Sequence, residues 1–329
     1  MVNKSNFNIK VNGDSLEIRC NKNCPIMRQC RSTSAMINRV YDGVNLTRVH
    51  AREISRTRGA NKTERQWNWI HERIRSSDWE GINVGDWMPL EVESNSLKMV
   101  VAGINTYYNY GSQQSPPGRT PSHIDFISQD CYPGPRRWNP VDNNNGISEQ
   151  HSPWLASEIK KWLNSEEGNV PNSSTDNATT AHVDYTTQGL FDKLPAILKT
   201  LIVPKGLYIP LRYKAGELLL EDNDGAWQDI GRLWLPFEYE VYGSVIWGSK
   251  TVRGIPYNSY GMKQYPLFAN NMKQIKMQDS GHAIQQHWLL ASVSGYSSTQ
   301  VCGVGSNGNA STSEASYPTH QVPVCFRIS

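Results

Sequence analysis

The side chains best suited to chemistry are two histidine–aspartate pairs. In Ser122-His-Ile-Asp-Phe-Ile-Ser-Gln-Asp130, His123 and Asp125 stand two residues apart, and His182 and Asp184 repeat the spacing. Along a strand such residues share a face, so each pair offers a nitrogen and an oxygen ligand side by side. Brought together, with Asp130 nearby, they would make a tetrahedral or octahedral metal site or an acid–base couple. Nothing in the sequence brings them together, and hydrogen-bonded structural roles outweigh a metal. Cys20, Cys24 and Cys30 form the other cluster. The spacing between the first two is looser than a zinc pair prefers and no fourth ligand follows, so neither zinc nor a disulfide from Cys30 to Cys20 or Cys24 is favoured. Most of the six cysteines read as thiols, and a pairing of Cys302 with Cys325 stays open. Glu221-Asp-Asn-Asp224 could supply oxygens to calcium, although a plain acidic turn is the simpler reading.

Other catalytic settings are missing. The chain has no phosphate-binding loop, no G-x-S-x-G elbow and no H-E-x-x-H. Gly303-Val-Gly-Ser-Asn-Gly308 has G-x-G spacing, but Ser, Asn and Thr follow it in place of a helix. The expectation is a non-enzymatic protein with no cofactor and no metal; a metal-dependent enzyme using His123 and Asp125 is the alternative. The 329 residues carry a formal charge of only +3 with no long basic run, which argues against nucleic acid. No apolar run is long enough for a membrane span, and the N-terminus lacks an apolar signal core, so synthesis in the cytoplasm is expected. Eleven Trp and fifteen Tyr against six Phe are the unusual feature. Such rings suit wet interfaces, or fill the core of a loop-rich protein.

The elements that must position these residues read as an α+β fold. Phe7 to Arg19 forms two alternating runs joined by Asn12-Gly13, a hairpin signal. Thr47 caps a helix over Arg48 to Arg58 that stops at Gly59, and a second helix runs from Lys62 to Ser77 with Trp67, Ile70 and Ile74 on its apolar face. This gives an N-terminal hairpin-and-helix attachment module at residues 1–80 and a loop-rich display domain at 81–329. In the latter, Trp87–Leu90 and Leu97–Ile104 read as paired strands, Ser122–Asp130 as a strand and Ser152–Asn164 as one helix capped by Ser152. Short helices are expected on both sides of Pro195, after Pro236 and over Pro266–Ile275. The buried strands lie within Gly231–Gly243, Gln286–Ser292 and Val322–Ser329. Between the last two lies a small, polar loop, Ser294 to His320, whose Tyr296, Asn307, Asn309, Tyr317 and His320 are the candidate ligand-binding residues.

The order of Ala156-Ser-Glu-Ile-Lys-Lys-Trp-Leu-Asn164, Leu233-Trp-Leu-Pro-Phe-Glu-Tyr-Glu-Val-Tyr242, Tyr265-Pro-Leu-Phe-Ala269, Trp288-Leu-Leu-Ala-Ser292 and Pro323-Val-Cys-Phe-Arg-Ile328 resembles a domain of unknown function that recurs in bacterial surface proteins and phage virion proteins, over roughly residues 81 to 329. The stretch from Arg39 to Asp86 is similar to the lead-in of phage-encoded members. Trp-rich strands with a long loop before a closing strand also resemble the C-type-lectin-like fold of phage tropism proteins. These resemblances imply a phage virion structural protein: a capsid- or tail-associated decoration or fibre component, homo-oligomeric, contacting other virion proteins and a host-surface glycan or protein. A free carbohydrate- or protein-binding module is the alternative. Ala291 stands where members carry Arg and Gln321-Val-Pro-Val-Cys325 replaces the usual closing G-V-R-P, so no functional residue is carried over.

Overall fold

The computed structural model describes residues 7–12, 15–20, 43–111, 117–144, 152–166, 185–210, 225–248, 251–252, 255–256, 262–269, 271–279 and 282–329. Two units emerge, Met1–Gly43 and Val44–Ser329. In the first, strands β1 (Phe7–Asn12) and β2 (Ser15–Cys20) form the expected antiparallel hairpin, with Asn12 opposite Ser15. Cys24, Cys30, His182, Asp184 and residues 221–224 lie outside the described residues, as does the side chain of Cys20.

The second unit starts with two single helical turns, α1 (Leu46–Val49) and α2 (Ala51–Ile54), where one longer helix was expected. The cap is Asn45, whose side chain accepts from Thr47 N, not Thr47 itself. Helix α3 (Lys62–Arg75) is capped by Asn61, and its Trp67, Ile70 and Ile74 are buried as their spacing predicts. Trp67 meets Phe126 and Phe326 edge-on at 5.6 and 5.7 Å. Gly81, where the sequence analysis places a boundary, lies within this unit.

The strands follow: β3 (Trp87–Val92), β4 (Asn95–Ile104), β5 (Ile124–Ser128) and β6 (Tyr132–Arg136). The helix expected over 152–164 is two, α4 (Pro153–Ala156) and α5 (Glu158–Asn164). Ser157 separates them: its backbone is extended, its hydroxyl donates to Trp154 O, and its oxygen caps α5 by accepting from Lys160 N. Next come α6 (Ala196–Leu201), β7 (Ile202–Val203), β8 (Gly206–Pro210), β9 (Gly225–Asp229), β10 (Leu233–Trp234) and α7 (Glu238–Tyr242). Ahead of Pro195 the chain forms turns, so only the second helical piece is a helix. Strands β11 (Thr251–Val252) and β12 (Ile255–Pro256) pair, then two 3-10 turns, Pro266–Ala269 and Asn271–Gln274, replace the expected helix. The chain closes with β13 (Met277–Asp279), β14 (His282–Gln285), β15 (Trp288–Val293), β16 (Gln300–Val304), β17 (Ala310–Glu314), β18 (His320–Val322) and β19 (Cys325–Ile328).

Two larger sheets organise the unit. One has the order β10-β19-β5-β4-β3, with β7 also pairing β19, all antiparallel. The C-terminal strand is therefore central, and both of its faces are buried, as its apolar run requires. The other has the order β17-β16-β15-β18-β6, with β15 and β18 parallel. Tryptophans fill the interior. Trp154, Trp138 and Trp288 donate their indole N–H to backbone carbonyls of Ile230, Leu290 and Gln274, so each ring is buried with its polar end satisfied. Asn164 ties α5 to β10: its oxygen accepts from Arg232 N and Leu233 N, and its amide donates to Leu233 O.

Candidate functional site

His123 and Asp125 do meet, but inside the protein and in an ionic network. Strand β5 faces β19 in a register that sets Asp125 opposite Arg327. Arg327 donates through Nε and Nη2 to the two Asp125 oxygens at 2.7 and 2.8 Å, a bidentate pair with both side chains 1% exposed. Tyr265 Oη donates to Asp125 Oδ2 at 3.0 Å and accepts from Lys205 Nζ at 2.6 Å. Lys205 Nζ also donates to Glu240 Oε1 at 2.5 Å, and Tyr107 Oη donates to the same oxygen at 2.8 Å. The second Glu240 oxygen accepts from Phe237 N. The rings of Tyr107, Trp234 and Tyr265 stand 4.9, 4.7 and 4.9 Å from the Lys205 ammonium.

Two cations and two anions thus balance in a dry interior, and His123 completes the set in neutral form. Tyr107 N–H donates to His123 Nε2, so the proton sits on Nδ1, which faces Pro121 O at 2.8 Å. Burial, then the Arg327 guanidinium, push the His123 pKa down to about 4. Burial raises that of Asp125, but Arg327, His123 and Lys205 together hold it below the usual carboxylate range. Burial lowers the Lys205 pKa against the opposing pull of Glu240 and Asp125, and it raises the phenols of Tyr107 and Tyr265 far above their ordinary value. Every donor and acceptor a metal would need from His123 and Asp125 is engaged. Among the described residues no group of three or more His, Cys, Asp or Glu side chains is placed to hold a metal ion. Cys131, Cys302 and Cys325 are buried and lie outside any disulfide.

Accessible chemistry lies elsewhere. The expected loop from Ser294 to His320 is largely the β16–β17 hairpin, which separates the five candidates. Asn307 and Asn309 are exposed at the β16–β17 turn, where Asn307 Oδ1 accepts from Asn309 N. Tyr296 and Tyr317, 53% and 51% exposed, belong to the opposite end of those strands. His320 is 4% exposed on β18, its ring 5.2 Å from Tyr317 and 6.1 Å from His287, and burial followed by His287 brings its pKa down to about 4.

Beside Tyr296 stands a residue the sequence analysis did not select. All eleven tryptophans are described, and Trp247 alone is exposed, at 42%. Its backbone is fixed from below by Glu238, the other carboxylate of α7, which is 1% exposed and accepts from Ile246 N at 2.9 Å, Trp247 N at 2.9 Å and Gly248 N at 3.0 Å. Gly243 ends α7 with φ 73°, a left-handed turn that suits glycine and leads into this loop. A β-bridge between Gly248 and Ser294, with Gly295 N donating to Trp247 O at 2.8 Å, joins the loop to the turn carrying Tyr296. Asn144 holds that turn from another side, donating Nδ2 to Ser297 O at 2.8 Å and N to Ser298 O, and Asp142 accepts from Ser316 N next to Tyr317. The backbone that carries Trp247 and Tyr296 is thus tied down by hydrogen bonds, and exposed Tyr317 follows the anchored Ser316 at the same end of the hairpin.

Neither a curated protein nor a solved structure matches the chain. Residues 137–329 match a family described as a domain of unknown function, DUF6273. The match begins just past β6, later than the resemblance drawn from residue 81. Lys205, Glu240, Tyr265, Arg327 and Trp247 fall inside it; Tyr107, His123 and Asp125, with strands β3 to β5, come before it. Since the match covers more than half of its length, this chain belongs to the DUF6273 family.

Proposed function

We propose that this chain is a non-enzymatic recognition protein displayed on a phage particle, and that it holds a neutral sugar of the host surface against Trp247 and Tyr296. The observation that supports this reading is the rigid aromatic ledge. One tryptophan of eleven is exposed, and a buried carboxylate, a β-bridge and a clamped turn hold its backbone and that of Tyr296 in place. Ring faces stack on the C–H faces of a pyranose, and neighbouring hydroxyl and amide groups orient its hydroxyls, at little entropic cost when the platform is preorganised. The ionisable groups of the network are 0–2% exposed and mutually paired, which suits a structural role. The virion setting draws on the likeness of the sequence to phage structural proteins; in it the chain assembles as a homo-oligomer against other virion proteins.

Binding of the full chain to an array of neutral and acidic oligosaccharides tests the ligand. Trp247→Ala should weaken a neutral-sugar hit about thirty-fold, equivalent to about 2 kcal/mol, with unfolding unchanged. No hit from a folded protein, or a hit that Trp247→Ala leaves intact, refutes the ledge. Mass spectrometry of purified particles tests the setting independently.

A further inference from the structure

We propose that the side chains of Lys205 and Glu240 are joined in the folded protein by an isopeptide bond, formed with loss of one water. Three observations carry this beyond the ledge and independently of it. The amine and the carboxylate are both 0% exposed and 2.5 Å apart, so the reactants are held in contact without competing water. Each reacting atom has a separate partner: Tyr265 Oη accepts from Nζ, Tyr107 Oη donates to Glu240 Oε1, and Phe237 N donates to Glu240 Oε2. The surroundings are aromatic, with Asp125 committed to Arg327, so the pair consists of two costly buried charges that condensation would remove.

The step balances without an outside reagent. One proton of the Lys205 ammonium passes to Glu240 Oε1, leaving a neutral amine and a neutral acid, a transfer that burial of the lysine favours. The Nζ lone pair attacks Cδ and forms the C–N bond. The C–Oε1 bond then breaks, and Oε1 departs as water with that proton and a second one from Nζ, assisted by the Tyr107 hydroxyl. Oε2 becomes the amide oxygen and keeps its bond from Phe237 N. The remaining N–H still points to Tyr265. The bond would close a loop between residues 35 apart and fasten α7, the helix whose Glu238 holds the ledge, to the segment joining β7 and β8.

Intact mass of the full chain under denaturing conditions decides. The folded protein should weigh one water less than its sequence, and a digest should yield a branched peptide linking Lys205 to Glu240. Lys205→Ala and Glu240→Ala chains should each show the full mass, whether or not they fold. A wild-type chain that unfolds cooperatively yet has the full mass overturns the proposal. So does a water loss that persists in Lys205→Ala.

Discussion

Replacing Asp125 by Asn should be among the most damaging single changes available to this protein. The substitution preserves shape and removes one charge. Arg327 is 1% exposed and donates both its short hydrogen bonds to Asp125, at 2.7 and 2.8 Å. An amide offers one oxygen where the carboxylate offered two, so one guanidinium N–H loses its acceptor and the cation loses its counter-charge in a site water does not reach. Breaking a buried pair from one side costs about 3–5 kcal/mol, against a total stability of about 5–15 kcal/mol for a typical domain. An internal control exists in Lys199 and Asp192, 3.4 Å apart but 34% and 52% exposed, where Asp192→Asn should cost less than about 1 kcal/mol. Guanidinium unfolding followed by tryptophan fluorescence reads both. A double replacement, Asp125→Leu with Arg327→Met, removes both charges and should recover most of the loss, since neither partner is then left alone. If Asp125→Asn costs no more than Asp192→Asn, the pair is hydrated and the description of a dry network is wrong.

Two further outcomes follow from the same geometry. His123 and His320 both have folded pKa values of about 4, below their unfolded value near 6.5, so the unfolded state binds more protons in between. Stability is therefore complete above about pH 6.5 and falls as pH drops toward 4, by up to about 3 kcal/mol for each histidine, and Asp125 extends the loss below pH 4; an unfolding midpoint flat from pH 6.5 to 4.5 would refute two neutral buried histidines. Glu238→Ala leaves three backbone N–H groups without their acceptor, that of Gly248 buried, at a cost of about 1–3 kcal/mol, and should weaken sugar binding although Trp247 is untouched; unchanged affinity would show that the ledge does not need its anchor.

Much of the scaffold is legible locally. The Asn12-Gly13 hairpin, the Trp67/Ile70/Ile74 stripe of α3 and the pairing of β3 with β4 each depend on neighbours within about fifteen residues, and each forms where its pattern predicts. The break at Ser157 is not legible that way. Its hydroxyl competes with the helix by bonding Trp154 O while its oxygen starts the next turn, and a continuous apolar stripe conceals that choice. Nor can one sequence rank eleven similar tryptophans by exposure. What singles out Trp247 is Glu238, a residue whose own backbone N–H donates to Ser292 Oγ of β15, 54 positions away.

The network shows where a stronger reading was available. His123 and Asp125 stand out in the sequence by their mutual spacing, yet the partner that defines Asp125 is Arg327, 202 residues later, and their meeting depends on the β5–β19 register. No spacing rule reaches that far. The composition of the strands does carry a signal, however. Arg327 stands alone among Val324, Cys325, Phe326 and Ile328, and Glu238 and Glu240 stand among Trp234, Leu235, Phe237, Tyr239 and Val241. A single charge inside an apolar run is either misplaced or buried, and a buried charge must find an opposite charge or a cluster of backbone donors. Three charges in two buried runs therefore demand buried partners, whatever the topology. Two of them satisfy the demand through Asp125 and Lys205, and the third, Glu238, through three backbone N–H groups that hold the only exposed tryptophan.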